Sequence, residues 1–402
     1  MEELRHLLEL VIYKESIQDP EIDILEKNDK GEGYLGVVTP VVLRGTNKIL
    51  KVIVKTAPIG EEIRKHAPLR NCYITEINFY TKIYPLLRKF QLDRGDVKPF
   101  INIAKCYGYS LKNNGEGIVM ENLKEAGFSV CERRRTMSKQ HIKLALEEFS
   151  HLHALSYALK EYHPKVFNEI VAPMTDNFLT FLRNADFKSV FDRILDRIID
   201  CPKIKFNGNV VNALTKFRGN YMEFFEEMSM GVGNKYSVIT HGDCWTNNMM
   251  FKYDDVNNPF IPTSMRLIDW QLQKVGSPAE DISYFLYACS DKSVFNNLDD
   301  WLRVYHNSLM AQLTKLGCAS INHLSFHELK SQYEKYAKYG FLFSCMVIKL
   351  MLSDADEVPD LSDINKEGNS IMKSFDFDSK NEDVYISRVV DLAIHAYNFK
   401  II

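Results

Sequence analysis

The chain has 402 residues and is 46% hydrophobic, enough apolar mass for one large core or two smaller ones. Fifty basic against fifty-three acidic residues leave a net charge of -3. No strong overall field results, which argues against nucleic acid or an acidic membrane as the partner.

The N-terminal stretch MEELRHLLELVIYKES carries early glutamates and helical Leu/Val/Ile spacing. It predicts an amphipathic helix and lacks the form of a signal peptide. Between about residues 20 and 120 come short β-like runs: YLGVVTPVVLR, KILKVIVKTA, NIAKCYGYSL and GEGIVMENL. They are rich in Val, Ile and Tyr and punctuated by Gly, Asn and Pro. One helical segment, RNCYITEINFYTKIYPLLRKF, interrupts them.

After Leu123 helical patterns dominate. SKQHIKLALEEFSHLHALSYALKEYH has Ser138 placed as an N-cap, with Ile142, Leu146, Phe149 and Leu152 on one face. Further helical stretches begin at Asp176, Val210, Leu298 and His327. VITHGDCWTNNMMF and SMRLIDWQLQKV are the β-like exceptions in this half. The run Phe341 to Leu352 is too short to span a bilayer, contains Lys349 and reads as a buried helix. The polar, acidic stretch from Asp354 to Glu382 reads as an exposed loop. Arg133 to Arg135 read as a solvated face. The eight cysteines show neither C-x-x-C pairs nor zinc spacing, so they read as free thiols in a reducing, cytoplasmic setting.

The pattern is thus a small β-rich lobe followed by a larger helical lobe. Such a boundary favours a ligand cleft. Several chemically distinctive residues fall into order along it. Gly31, Gly33 and Gly36 fit G-x-G-x-x-G-x-V, a weak signal alone, in which glycines let the backbone approach phosphates. Lys55 ends the alternating strand KVIVK, a place where a lysine can hold phosphates, and Glu76 in the next helix can pair with it. In HGDCWTNN, Asp243 can accept a proton from an attacking hydroxyl. Asn248 and Asp269 (in RLIDWQ) offer hard oxygen ligands suited to Mg²⁺. A phosphate cradle, a metal site and an orienting base are the parts phosphoryl transfer needs. His241 reads as a packed, hydrogen-bonded residue.

At these residues the chain resembles the ecdysteroid-kinase-like (CHK-kinase-like) family, within the aminoglycoside/choline kinase group of the protein-kinase-like fold. HGDCWTNNMMF with LIDWQLQKVGSPAEDISYFLY carries the resemblance most specifically; VIVKTAP, EINFYTKIYP, IVMENL and FSHLHALSYAL extend it from about residue 20 to 395. It implies an α+β, two-lobe protein-kinase-like fold. The N-lobe would span 1–120, the hinge 121–124 and the C-lobe 125–402. It further implies ATP and Mg²⁺ as cofactors, Asp243 as catalytic base, Asn248 and Asp269 as metal ligands, and Lys55 with Glu76 at the phosphates. Glu121 to Leu123 would meet adenine through their backbone, and Asp281 would brace the catalytic loop. The loop departs from the family in offering Tyr34 where a Ser or Thr is usual.

Protein kinases place Arg where this chain has Gly242 and a Gly where it has Gln271, so a protein substrate is not expected. The expected activity is transfer of the γ-phosphate to a hydroxyl of a small lipophilic alcohol, with an ecdysteroid as lead candidate. YMEFFEEM and YAKYGFLF are aromatic stretches suited to an apolar pocket or to a core. No membrane insertion and no obligate protein partner are expected. Two alternatives stay open: a choline-type kinase, and a catalytically inactive kinase fold serving as a binding module.

Overall fold

The computed structural model describes residues 2–25, 36–95, 99–230, 235–255, 257–318, 324–354, 357 and 379–402. Five antiparallel strands form the first sheet: β1 (Glu21–Ile24), β2 (Val37–Arg44), β3 (Ile49–Thr56), β4 (Cys106–Lys112) and β5 (Gly115–Glu121). Their spatial order is β1-β2-β3-β5-β4, which puts β3, the strand of Lys55, at the centre. Four of these strands lie where the sequence places them. The fifth, β1, was not foreseen: its four residues, EIDI, are all exposed at the sheet edge, so no buried face imposes a pattern.

Helix α1 (Glu2–Lys14) covers one face of this sheet. Its Leu4, Leu7, Leu8 and Val11 recur at helical spacing and are buried against Val41, Leu43, Val52, Val54 and Val119. The opposite face receives α2 (Glu61–His66), α3 (Leu69–Asn78) and α4 (Tyr84–Asp93), with one π-helical turn at Phe79–Ile83 between the last two.

The helical half begins after the short strand β6 (Ser129–Val130). Helix α5 (Lys139–Tyr162) starts as foreseen, the Ser138 hydroxyl accepting the His141 amide, and buries Ile142, Leu146, Phe149 and Leu152. There follow α6 (Pro164–Val171), α7 (Asn177–Arg183), α8 (Ala185–Asp200), α9 (Pro202–Lys205) and α10 (Gly208–Met230). Then come β7 (Val238–Thr240), β8 (Met249–Lys252), β9 (Ser264–Leu267) and β10 (Lys274–Gly276). β7 pairs with β10, and β8 lies between β6 and β9. The remainder is helical: α11 (Pro278–Cys289), α12 (Lys292–Phe295), α13 (Leu298–Lys315), α14 (Phe326–Tyr336), α15 (Lys338–Leu352) and a last helix, Glu382–Asn398. Every residue of α11 is buried, so it is the axis on which this half is built.

Phe341 to Leu352 is a buried part of α15, as expected. No helix among the described residues is long and apolar enough to cross a membrane. None of the eight cysteines is in a disulfide. Most of the stretch from Asp354 to Glu382 lies outside the described residues, and Glu382 itself opens the last helix. The arginine run is mostly solvated, as expected: Arg134 and Arg135 are exposed, while the half-buried Arg133 donates to the Ser353 carbonyl.

Candidate active site

Strand alternation decides where Lys55 points. Val52 and Val54 face α1, so Ile53 and Lys55 face the opposite side, toward α3. There the Lys55 Nζ donates to Glu76 Oε2 at 2.9 Å and to Asp269 Oδ1 at 2.8 Å. Lys55 is only 4% exposed and Glu76 not at all. Burial disfavours the ammonium, but the charges of Asp269 and Glu76 more than offset it and raise the Lys55 pKa.

The loop after β7 is held from below by α11. Asp281, in the first turn of that helix, accepts the amides of His241 (2.7 Å) and Gly242 (2.9 Å) and the His153 Nε2 (3.1 Å). Burial opposes ionisation of Asp281; these donors, His153 first, prevail and hold its pKa low. Gly242 has φ +82°, and a Cβ there would lie 2.1 Å from the Leu272 carbonyl oxygen, so only glycine fits. The Tyr339 hydroxyl donates to the Gly242 carbonyl at 2.7 Å.

His241 is a packed residue, as expected. Its Nδ1 accepts the Asp243 amide at 3.2 Å, which leaves Nε2 to donate to the Ile268 carbonyl at 3.0 Å. Burial lowers its pKa and keeps the ring neutral. The Asp243 carboxylate accepts from Asn248 Nδ2 at 2.7 Å and from the Tyr284 hydroxyl at 3.1 Å. Burial, then the Asp269 charge, pushes the Asp243 pKa up to about 7. The Ile268 amide donates to the Asn248 carbonyl at 3.1 Å, which ties the strand of Asp269 to this loop. Asp269 itself has φ +64°, an unusual backbone for a residue other than glycine. Beside it, Trp270 is fully buried, stacked on Phe79 with ring centroids 3.5 Å apart, and 4.5 Å from His241.

The fold therefore brings Lys55, Glu76 and Asp269 into one cluster, and Asp243 and Asn248 into the loop bonded to it. Asn248 spends its amide nitrogen on Asp243, so its oxygen remains as a donor atom. That amide oxygen and the Asp269 carboxylate are a donor set that suits a hard cation completing its shell with phosphate and water. Among the described residues there is no cluster of three or more His, Cys, Asp or Glu arranged to bind a metal without such help.

Gly31 and Gly33 lie outside the described residues. Gly36 lies against Lys55: a Cβ there would come 2.5 Å from the Tyr73 hydroxyl and 3.2 Å from Lys55 Cγ. Glu121 ends β5 opposite Val52 of β3, and Leu123 follows in a turn whose Ala126 and Phe128 amides bond to the Leu123 carbonyl. These two stand along the neighbouring strand and are not among the partners of Lys55.

Two polar residues of the site were not foreseen. Tyr284 lies one turn beyond Asp281 on α11, and that i, i+3 spacing is a signal that could have found it. Asn177 joins three parts of the chain, and nothing in its local sequence marks it.

A cavity of about 460 Å³ opens between α7, α10 and β10. Its wall includes Met174, Asp176, Leu179, Arg183, Glu226 and Lys274. The aromatic side chains of the stretches suited to a pocket are not in this wall. Tyr221, Phe225, Tyr339, Phe341 and Phe343 are buried in the core, with Phe178 packed on Phe225, Tyr339 and Phe343.

The model of the ecdysteroid kinase-like family matches residues 30–318. A 4-hydroxytryptamine kinase of Psilocybe cyanescens is 28% identical over 115 residues, which are 28% of this chain and 28% of that protein. A spectinomycin phosphotransferase solved with ADP and spectinomycin is 13% identical, covering 98% of both chains with a TM-score of 0.45. The GDP complex of an aminoglycoside 2'-phosphotransferase is 11% identical, covering 98% of this chain and 96% of that one, with a TM-score of 0.43.

Proposed function

This chain belongs to the ecdysteroid kinase-like family, and we propose that it is an ATP-dependent phosphotransferase acting on the hydroxyl of a small lipophilic alcohol, an ecdysteroid being the lead candidate. The observation that carries this reading is Lys55 held between Glu76 and Asp269, with Asp243 and Asn248 in the adjoining loop. A catalytically inactive binding module would be free to lose any of these five, and all five are present.

ATP with Mg²⁺, when bound, supplies the phosphoryl group and the charge that neutralises it. The residues do the rest. Lys55 presents an ammonium to phosphate oxygens, and Glu76 keeps it aimed. The backbone at Gly36 would approach the phosphates, and Gly31 and Gly33, assigned to the same cradle, lie outside the described residues. The backbone at Glu121 and Leu123 meets adenine. The Asn248 oxygen and the Asp269 carboxylate would hold the metal.

Asp243, oriented by Asn248 and Tyr284, would take the proton of the acceptor hydroxyl that receives the phosphoryl group. A carboxylate carried near neutral pKa is suited to that exchange. In this reading residues 1–120 carry the nucleotide, 121–124 are the hinge, and 125–402 carry the base and the acceptor. The eight free cysteines suit a reducing cytoplasm.

The test offers an ecdysteroid, choline and kanamycin in parallel to the purified protein with Mg-ATP, with mass spectrometry of the products. Phosphorylation of the steroid supports the whole reading. Phosphorylation of choline or kanamycin alone overturns the acceptor and keeps the kinase. ATP binding with no alcohol phosphorylated favours the binding module.

A further inference from the structure

The N-terminus of α7 is a junction of side chains that the chemistry above does not use. Asp176 caps the helix, its Oδ1 accepting the Leu179 amide at 2.9 Å, while its Oδ2 accepts Lys274 Nζ at 2.8 Å. Lys274 also lies 3.1 Å from Glu280, the residue before Asp281. The next residue, Asn177, is 1% exposed and uses its whole amide. Its Nδ2 donates to Thr75 Oγ1 at 3.1 Å and to the Gln271 carbonyl at 2.8 Å, and its Oδ1 accepts from Thr175 at 3.1 Å.

The two partners of that nitrogen lie beside the two carboxylates that hold Lys55. Thr75 precedes Glu76 on α3, and Gln271 is two residues after Asp269. One amide group from the helical half therefore bridges the helix of Glu76 to the segment of Asp269. A second contact closes the same gap one turn on, where Phe79 stacks on Trp270. An asparagine is expensive to bury unless its hydrogen bonds are made, and here each polar atom has a partner.

We propose that Asn177 is a positioning residue: it clamps α3 to the segment after Asp269, so that Glu76 and Asp269 close on Lys55 and hold it for phosphate. This deepens the kinase reading and rests on it. The consequence is selective. Losing the clamp loosens the grip on phosphates and leaves the adenine side, on β5, untouched.

The variants are Thr75→Val, Asn177→Leu and the pair together, with Thr75→Ser as rescue. Mg-ATP and adenosine are titrated calorimetrically, and melting temperatures are measured alongside. The expected result is that Thr75→Val weakens Mg-ATP about three- to tenfold, the worth of one hydrogen bond, and that Asn177→Leu, which loses three, weakens it at least as much. Adenosine affinity holds, Thr75→Ser restores the wild-type value, and the double variant falls short of the product of the singles. Should Asn177→Leu not fold, Thr75→Val decides alone, because it leaves the Asn177 to Gln271 bond in place.

Mg-ATP affinity within about twofold of wild type in both single variants overturns the proposal. Equal weakening of Mg-ATP and adenosine with a lowered melting temperature also overturns it, in favour of a role in folding only. Failure of the wild type to bind Mg-ATP removes the kinase reading, and this inference with it.

Discussion

The two carboxylates of the candidate site separate cleanly by their partners. Asp243 is bonded to two neutral donors, Asn248 and Tyr284, whereas Asp269 is bonded to the Lys55 ammonium. The first is placed to take a proton and the second to hold the lysine. Asp243→Asn is therefore expected to lower kcat by at least about 10²–10⁴, the usual contribution of a general base. Mg-ATP affinity should persist, because the proposed metal ligands remain. Steady-state kinetics with the best acceptor, beside calorimetry, check this; wild-type kcat would move the base elsewhere. Asp269→Ala is expected to do the reverse at the binding step. It removes the anionic oxygen of the proposed metal pair, so Mg-ATP affinity should fall about tenfold or more. Titrations at several Mg²⁺ concentrations check it, and an unchanged Mg²⁺ dependence would contradict it.

Among the elements, α1 and α3 serve opposite faces of one sheet, and this separates stability from function. Leu8 is fully buried between α1 and the outer face, away from Lys55. Leu8→Ala should cost about 2–5 kcal/mol of folding stability, as a cavity in a packed core does. Nucleotide affinity of the folded fraction should stay as in wild type. Urea denaturation and calorimetry on one sample test both halves of that statement.

The same elements show what could be read in advance. Strands β2 to β5, α1, α5 and the buried α15 were legible because each has a buried face that imposes a period on its residues. β1 was not, since no part of it is buried. The residues that touch through local motifs, such as Asp243 with Asn248, were also legible. So was Lys55 with Glu76, through the order of loop, strand and helix. Asn177 was not: its partners lie 102 and 94 residues away, and no spacing encodes them. The aromatic stretches left two readings open for a related reason. Composition says that Tyr and Phe are present but not whether a core or a cavity receives them.

At the scale of the whole molecule, one hydrophobic core runs from the inner face of the sheet through the helical half to the last helix. Histidines buried in it make the fold sensitive to acid. Burial lowers the pKa of His141 and of His395 to about 4, below the value of about 6.5 expected in an unfolded chain. The unfolded state then binds more protons between these values. The stability these two histidines contribute is expected to be complete above about pH 6.5 and to be lost as pH falls toward 4. His395 offers the cleaner test. Both its ring nitrogens are buried with no hydrogen-bond partner among the described residues, and its ring packs on Phe295 and Phe399. His395→Phe should keep or raise the melting temperature at pH 7.5 and should lose less of it than wild type on going to pH 5. Equal losses in both proteins would assign the acid sensitivity elsewhere.

The chain holds three tryptophans, and two of them sit where the chemistry is proposed. Trp245 is two residues after Asp243, and Trp270 follows Asp269 in its stack with Phe79. The third, Trp301, stands on α13, half-buried. The protein thereby carries its own optical reporter. Indole emission depends on the polarity and charge around the ring, and a bound nucleotide would change both beside Trp270. In a Trp301→Phe variant all of the emission comes from the two site indoles. Mixing that variant rapidly with Mg-ATP should give a fluorescence transient whose rate rises with nucleotide concentration. The association and dissociation of nucleotide can then be timed without a label and before any acceptor is known.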